Sequence, residues 1–177
     1  TKSVYLSSAL PTIYTELLLG QGKNLTLCLN GKTLSATNSI TSYNHIRVTD
    51  GAALTIVDCV GTGTVKGAAA NGGQGGIAYV KNGTLTIQNG KFTGGTASTG
   101  GAIVVDDKGV LNIQGGEISG NTVTSGSGGA IYIKSGGTVN LYGGTIRDNH
   151  VYSGNGGAIY VEAGGPLNLY GGTITDN

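Results

Sequence analysis

The chain of 177 residues contains few of the residue types that commonly take part in catalysis or bind charged partners. It has no methionine or tryptophan, one phenylalanine, two histidines and two cysteines. Its 10 lysines and arginines nearly balance its 9 aspartates and glutamates, and charged residues make up only 11% of the chain. Proteins that bind nucleic acid carry a basic patch for the phosphates. We therefore expect no nucleic acid partner.

Further absences narrow the class of protein. No run of 18 apolar residues exists, so we expect no membrane insertion by this segment. The 35 glycines follow no Gly-x-y period, which excludes a collagen triple helix. Two cysteines without a neighbouring histidine do not make a zinc site, and we predict no metal and no cofactor.

The sequence does contain an internal repeat. Segments that open with Gly-Ala-Ile begin at Gly101, Gly129 and Gly157, 28 residues apart. Apolar-x-apolar triplets follow the same rhythm, with intervals of 29, 31, 26, 28 and 28 residues. These triplets begin at Leu25, Leu54, Leu85, Leu111, Val139 and Leu167. A period of roughly 20 to 50 residues is typical of solenoids, propellers and arrays.

The repeated segments alternate in polarity, which indicates short strands. In the segment 131–133, for example, a tyrosine separates two isoleucines, and a period of two places alternate residues on opposite faces. Glycine pairs bound each strand and supply the backbone freedom that a sharp corner needs. We predict that the inward residues include Ile131, Ile133, Val139, Leu141 and Ile146, and that the outward ones include Tyr132, Asn140 and Tyr142.

Three strands and three corners in about 28 residues make one coil of a β-helix, whereas propeller blades need about 40 to 45 residues. We therefore predict an all-β fold, a right-handed parallel β-helix of about six coils, because strand crossovers strongly favour that hand. Residues 23–177 would form the repeats as a single domain, and residues 1–22 an N-terminal cap or first irregular coil. Because the repeat is still running at the last residue, we expect a piece of a longer protein.

The repeated motifs resemble those of bacterial surface proteins. Gly-Gly-Ala-Ile, followed by Ile-x-x-Asn ending at Asn121, Asn149 and Asn177, resembles the repeats of chlamydial polymorphic membrane proteins. The segments NLTLCLNGKTL and ALTIVDCVGTGTVKG resemble the opening coils of β-helical surface proteins from Gram-positive, gut-type bacteria. The resemblance covers about residues 23–177 and implies a pectate-lyase-like β-helix that is secreted or wall-anchored at the bacterial cell surface. Adhesins, stalks and enzymes share such scaffolds, so the fold does not decide the function.

Two kinds of structural contact between coils are expected. Asn121, Asn149 and Asn177 would stack at one corner, where amides satisfy bent backbone and one another. Cys28 and Cys59 lie in adjacent coils with an offset of two residues in register, so either a disulfide or two buried free thiols fits. The resemblance to surface proteins favours the disulfide, since extracellular chains keep such bridges.

No set of residues converges into a catalytic site. Asp106-Asp107 is the one adjacent pair of carboxylates, but it precedes a Lys-Gly step typical of a solvated turn. The equivalent positions of neighbouring coils include Lys134 and Glu162, not the clustered acids of polysaccharide-cleaving β-helices. His45 and His150 have no carboxylate in a matching row to orient them. We predict no catalytic residue.

Outward tyrosines form the candidate ligand-contact surface. One outward row comprises Tyr79, Val104, Tyr132 and Tyr160, and a second row ends in Tyr142 and Tyr170. Aromatic side chains on a flat sheet are a surface on which sugar rings or a partner protein can stack. The alternative is that tyrosines suit strands and cover neighbouring backbone.

The sequence therefore favours a non-enzymatic, extracellular β-helix segment of a bacterial surface protein, acting as an adhesin or a stalk. Its partner would be a glycan or a host surface protein, and the segment could also associate with itself end to end or side by side. The alternative is a polysaccharide lyase or glycoside hydrolase of the β-helix type, with catalytic acids partly outside the sequence given.

Overall fold

The computed structural model describes residues 2–7, 16–36, 45–69 and 73–177. Within these ranges the chain is all-β, and its strands pair in parallel as a β-solenoid. Six successive layers of three strands span about five turns, with a spacing of about 28 residues. The predicted parallel β-helix is therefore confirmed, and the right hand of its winding stays a prediction from the crossover rule. None of the described residues form a helix of the length and apolarity that a membrane span requires.

Each layer contributes one strand to each of three sheets, which are defined below as sheets 1, 2 and 3. Within a layer the chain first forms the strand of sheet 2, then that of sheet 1, and then that of sheet 3. Sheet 1 contains β1 (Lys2–Tyr5), β3 (Asn24–Cys28), β6 (Ala53–Val57), β9 (Thr84–Ile87), β13 (Val110–Ile113), β17 (Thr138–Leu141) and β21 (Leu167–Leu169). Sheet 2 contains β2 (Leu17–Leu19), β5 (Ile46–Val48), β8 (Ala78–Lys81), β12 (Ile103–Asp106), β16 (Ile131–Ile133) and β20 (Ile159–Val161).

The third sheet and a shorter ladder complete the coil. Sheet 3 contains β4 (Thr33–Ser35), β7 (Thr64–Lys66), β10 (Lys91–Thr93), β14 (Glu117–Ser119), β18 (Thr145–Arg147) and β22 (Thr173–Thr175). The ladder pairs three two-residue strands, β11 (Thr96–Ala97), β15 (Thr122–Val123) and β19 (His150–Val151). The ladder lies just before the chain returns to sheet 2, and the sequence pattern did not reveal it because two residues are too few to show alternation.

All six apolar triplets of the sequence lie in sheet 1 and pair in register. A seventh strand, β1, pairs with β3 ahead of them, so part of the segment 1–22 joins the stack. The triplet pattern missed β1 because Lys2 and Ser3 stand where the next layer has Leu25 and Thr26. Thr1 and residues 8–15 of the predicted cap lie outside the described residues.

The core is a narrow column of aliphatic side chains enclosed by the three sheets. The residues predicted to point inwards are each at most 1% exposed, namely Ile131, Ile133, Val139, Leu141 and Ile146. Tyr132 and Asn140 are half-buried on the outer face, and Tyr142 is 48% exposed. The predicted register is therefore confirmed. Each inward side chain packs on its equivalents about 4.8 Å above and below, so the stability of a layer depends on its neighbours.

Val104 lies in the outward row as the alternation predicts, but it is fully buried. By alternation it points away from the core, between inward Ile103 and Val105. However, the glycine-rich corner before β12 folds against it, and a Cβ on Gly100 would lie 2.7 Å from Val104 Cγ2. Gly100 has a φ of +59°, a conformation that glycine adopts without strain. The corner therefore covers this part of sheet 2.

Replacing a core residue should cost far more stability than replacing its outward neighbour in the same sheet. Leu141 is 1% exposed and pairs in register with Ile113 and Leu169. Leu141→Ala removes packing in both directions, so we expect a loss of about 2 to 5 kcal/mol in the free energy of unfolding. The control Gln114→Ala changes an exposed side chain and should stay within about 0.5 kcal/mol. Urea unfolding followed by circular dichroism measures both, and equal losses would contradict the layer-by-layer core.

Candidate functional site

The outer face of sheet 2 gathers most of the charged residues that the sequence singled out. At the ends of its strands runs a row of one residue per layer, Lys81, Asp106, Lys134 and Glu162. Successive layers are about 4.8 Å apart, so the charges alternate in sign along the rod. The structure thus brings Asp106 and Glu162 into one row but separates them with a lysine.

Each of these two carboxylates is bound by a tyrosine from the preceding layer. The hydroxyl of Tyr79 donates a hydrogen bond to Asp106 Oδ2, and Lys134 Nζ lies 3.3 Å from the same oxygen. The hydroxyl of Tyr132 donates to Glu162 Oε1 at 2.7 Å. The sequence suggested that Asp106 lies in a freely solvated turn. This prediction is wrong for Asp106, because two side chains hold it against the sheet.

These contacts keep both carboxylates ionised. Partial burial acts to raise the pKa of Asp106, but the hydrogen bond from Tyr79 and the charge of Lys134 outweigh it and lower that pKa. Hydrogen bonds from Tyr132 and from a backbone N–H lower the pKa of Glu162. Burial and the bond to Glu162 raise the pKa of Tyr132 to about 12. A glycosidase needs one carboxylic acid that still holds a proton near neutral pH, and neither carboxylate meets that need.

The predicted ligand-contact tyrosines form two stacks along the rod axis. The rings of Tyr132 and Tyr160 are 5.0 Å apart between centroids, with an interplanar angle of 28°. The rings of Tyr142 and Tyr170 are 4.9 Å apart and nearly parallel, at 8°. Each ring covers one face of its neighbour, so a ligand in front of the sheet meets ring edges and hydroxyls. The stacks stabilise the layers in the same way as other offset aromatic pairs.

Tyr79 is separated from the Tyr132 stack by the layer that contains Val104. The guanidinium of Arg47 lies 5.4 Å from the centroid of the Tyr79 ring, a cation–π contact. Arg47 also lies 3.6 Å from Glu16, whose pKa is raised by burial in spite of that cation. The structure therefore places Tyr79 among charged residues, between the Arg47–Glu16 pair and the Asp106–Lys134 pair.

An open groove of about 480 Å³ adjoins these charged residues. Its charged lining consists of Glu16, Asp50, Asp107, Arg47, Lys81 and Lys108. Three carboxylates face three cations, so the groove has no net charge with which to attract an ion. The described parts of the chain contain no group of three or more histidine, cysteine or acidic residues that could hold a metal.

Asn121, Asn149 and Asn177 form a hydrogen-bonded ladder at the corner that follows sheet 3. Asn121 donates from its backbone N–H and its Nδ2 to Asn149 Oδ1, at 3.1 and 2.9 Å. Asn149 donates in the same way to Asn177 Oδ1, at 3.2 and 2.8 Å. Asn121 and Asn149 are at most 2% exposed. Their amides satisfy backbone groups that leave the sheet, so the ladder serves the fold and is not free for a ligand.

A disulfide joins Cys28 to Cys59 in the next layer, with their Cα atoms 6.4 Å apart. Cys28 pairs in register with Val57, so the two cysteines have the offset of two residues that the sequence indicated. Of the two alternatives left open by the sequence, the structure contains the bridge. It joins the last residue of β3 covalently to a residue that follows β6, and so links two neighbouring layers.

Sequence reasoning missed Asp58, which lies beside this disulfide. The residue is 3% exposed, and its carboxylate accepts backbone hydrogen bonds from Gly31 at 2.7 Å, Gly61 at 2.6 Å and Gly63 at 2.7 Å. Burial acts to raise the pKa of Asp58, but these bonds outweigh it and lower the pKa. An aspartate followed closely by Gly-x-Gly was the available signal, since glycine corners leave backbone N–H groups in need of an acceptor.

The two histidines lie in different layers and are not brought together. His45 is 1% exposed, and neither ring nitrogen has a hydrogen-bond partner among the described residues. Burial lowers the pKa of His45 to about 4, so the ring is neutral at physiological pH. His150 is exposed and its ring packs edge-on against Tyr152, with centroids 4.7 Å apart.

Comparison of this chain with protein-family models, with curated proteins and with solved structures found no match.

Removing the charge of Asp58 should destabilise the corner that it organises. Asp58→Asn places an amide donor among backbone donors, and we expect a loss of about 1 to 3 kcal/mol at neutral pH. The lowered pKa means that the native carboxylate contributes above pH ~4 and loses its contribution as pH falls through the lower, folded-state value. The difference in the free energy of unfolding between the variant and the parent protein should therefore become smaller at acidic pH. Urea unfolding at several pH values measures it, and an equal effect from exposed Asp107→Asn would contradict this role.

Burial of His45 should make the protein acid-sensitive in a defined window. The folded-state pKa is about 4 and the ordinary value is 6.5, so between them the unfolded chain binds a proton that the folded chain refuses. Stability should fall as pH drops from about 6.5 towards 4, by at most roughly 3 kcal/mol. His45→Leu should flatten this decline, whereas His150→Leu should leave it unchanged. A decline that persists in His45→Leu would contradict the assignment.

Proposed function

We propose that this segment is a non-enzymatic, extracellular part of a bacterial cell-surface protein that acts as an adhesin or a stalk. The observation that carries the proposal is the state of the outward carboxylates on sheet 2. Asp106 and Glu162 are separated by Lys134, bound by tyrosines and held ionised. A face whose acids are occupied in this way supports binding or display more readily than acid–base cleavage of a polysaccharide.

The architecture suits a spacer or a display surface. Every layer adds the same short rise along the axis, and its packing depends mainly on the two adjacent layers. Inter-layer ladders of asparagine, tyrosine and alternating charge tie the layers together on the outside. Such contacts between successive layers suit a stalk or an extended binding surface.

Two further features agree with an extracellular setting. The Cys28–Cys59 disulfide fits an oxidising environment, since such bridges are rare in reducing compartments. The resemblance of the Gly-Gly-Ala-Ile and Ile-x-x-Asn motifs to bacterial surface proteins points the same way. A glycan or a host surface protein is the partner that we propose for an adhesin of this kind.

The proposal is tested by displaying the segment on a bacterium that does not adhere and counting attachment to host cells or to glycan-coated surfaces. Purified protein is assayed in parallel for turnover of neutral and acidic polysaccharides. We expect increased attachment without turnover. Turnover that disappears in Glu162→Gln or Asp106→Asn would overturn the proposal in favour of the β-helix lyase or hydrolase. If the segment shows neither attachment nor turnover, the adhesin role is excluded and the stalk role is the one that stands.

A further inference from the structure

Among the described residues, the outer face of sheet 1 differs from the other faces because its strands from β3 onwards carry no charged side chain. Three outward rows run along it, one residue per layer. The first row is Asn24, Ala53, Thr84, Val110, Thr138 and Pro166. The central row is Thr26, Thr55, Thr86, Asn112, Asn140 and Asn168. The third row begins at Cys28, which is buried in its disulfide, and continues with Val57, Gln88, Gln114, Tyr142 and Tyr170.

The charges of the rod lie instead on its other faces and at its corners. Sheet 2 carries the alternating row that contains Asp106 and Lys134. Sheet 3 carries Glu117, which pairs with Lys91 at 3.1 Å and with Arg147 at 3.1 Å. Segregation of this kind leaves one uncharged face, six layers long, from which a ligand can displace water without desolvating an ion. Removing water from an unpaired charge is costly, so an uncharged face favours an uncharged partner.

Many polar groups on the outer face of sheet 1 are free to hydrogen-bond with a ligand, whereas polar groups on sheet 2 already hydrogen-bond within the protein. Within the described parts of the chain, the hydroxyls of Thr26, Thr55 and Thr86 make no hydrogen bond to the protein. The exposed amides of Gln88 and Gln114 likewise have no partner there. On sheet 2, by contrast, the hydroxyls of Tyr79 and Tyr132 are bound to carboxylates. A ligand that reaches sheet 1 thus meets donors and acceptors that are not already paired.

The three asparagines that continue the central row are only partly used. Asn140 Nδ2 donates to Asn112 Oδ1 at 2.8 Å, and Asn168 Nδ2 donates to Asn140 Oδ1 at 2.8 Å. A primary amide has two N–H donors and two acceptor positions on its oxygen, so each keeps capacity towards the solvent. The pairing fixes the amides in one orientation, which lowers the cost of ordering them around a ligand.

We propose that the outer face of sheet 1 binds an uncharged, hydroxyl-rich polysaccharide laid flat along the rod. Sugar hydroxyls donate and accept hydrogen bonds, as do the threonine hydroxyls and the amides of this face. Tyr142 and Tyr170, 48% and 66% exposed, add aromatic ring edges at one rim. The inference rests on the proposed adhesin role and names its ligand class and its surface.

A second copy of the chain fits this face less well. Stable interfaces between proteins have an apolar core enriched in aromatic and aliphatic residues. Here the aliphatic outward residues are scattered, namely Ala53, Val57 and Val110, and threonine or amide side chains separate them. Side-by-side association through sheet 1 is therefore the competing outcome of the test.

The experiment measures retention of the whole chain on uncharged glucans and mannans and on acidic polyuronates, at low and high salt. We expect retention on an uncharged glycan that does not change with salt, because no ion pair is involved. Thr86→Lys puts a charge in the central row and should weaken binding at least tenfold. Its matched control, Thr93→Lys, puts the same charge in the same layer on sheet 3 and should leave binding unchanged.

Gln114→Lys provides a second test at an exposed position, where the added charge costs little stability. Unfolding curves establish that each variant is folded before its binding is compared. Absence of binding to every uncharged glycan, salt-sensitive binding, or equal losses in Thr86→Lys and Thr93→Lys would overturn the inference. A dimer in solution that dissociates in Thr86→Lys would replace the glycan with a second copy. Failure here, together with undiminished attachment of the displayed segment, would leave the proposed function standing.

Discussion

The structure depends on one constraint, the in-register parallel pairing of each strand with its equivalent in the next layer. This pairing places every side chain about 4.8 Å above the residue one repeat earlier. Each column must therefore consist of residues that can pack directly on similar residues in the layers above and below. Aliphatic side chains meet that requirement inside, and paired amides and stacked tyrosines meet it outside. The backbone corners are just as tight, since a Cβ on Gly129 would lie 1.9 Å from the carbonyl oxygen of Gly157.

Charged residues cannot form uniform columns, because like charges directly opposite each other repel. The rod solves this by alternation, as in the row from Lys81 to Glu162, and by placing Glu117 between Lys91 and Arg147. Both solutions bind carboxylates to neighbouring layers. The acids on sheets 2 and 3 thereby stabilise the stack, and they lose the freedom that a catalytic acid or a metal ligand would need.

The three faces consequently differ in what they can offer a partner. Sheets 2 and 3 present charges and tyrosine hydroxyls that are largely paired within the protein. From β3 onwards, the described strands of sheet 1 present no charge on their outer face, but they present unpaired threonine hydroxyls and glutamine amides and partly paired asparagine amides. A repeat protein can keep a regular core while each outer face acquires its own chemistry, because alternation separates inward from outward residues. That separation is why a single scaffold supports enzymes, stalks and adhesins, and why function has to be argued from a face.

The sequence by itself determined the fold and the core, because in-register stacking leaves a period of 28 residues and an alternation that places Leu141 inside. It also indicated the asparagine column and the offset between Cys28 and Cys59. Only the tertiary structure decided the burial of Val104 and the hydrogen bonds that converge on Asp58. Both features depend on where the glycine-rich corners fold. Glycine permits many backbone conformations, so the sequence of a glycine-rich corner does not specify which conformation the corner adopts. In a strand, by contrast, the alternation of apolar and polar residues specifies which side chains point inwards.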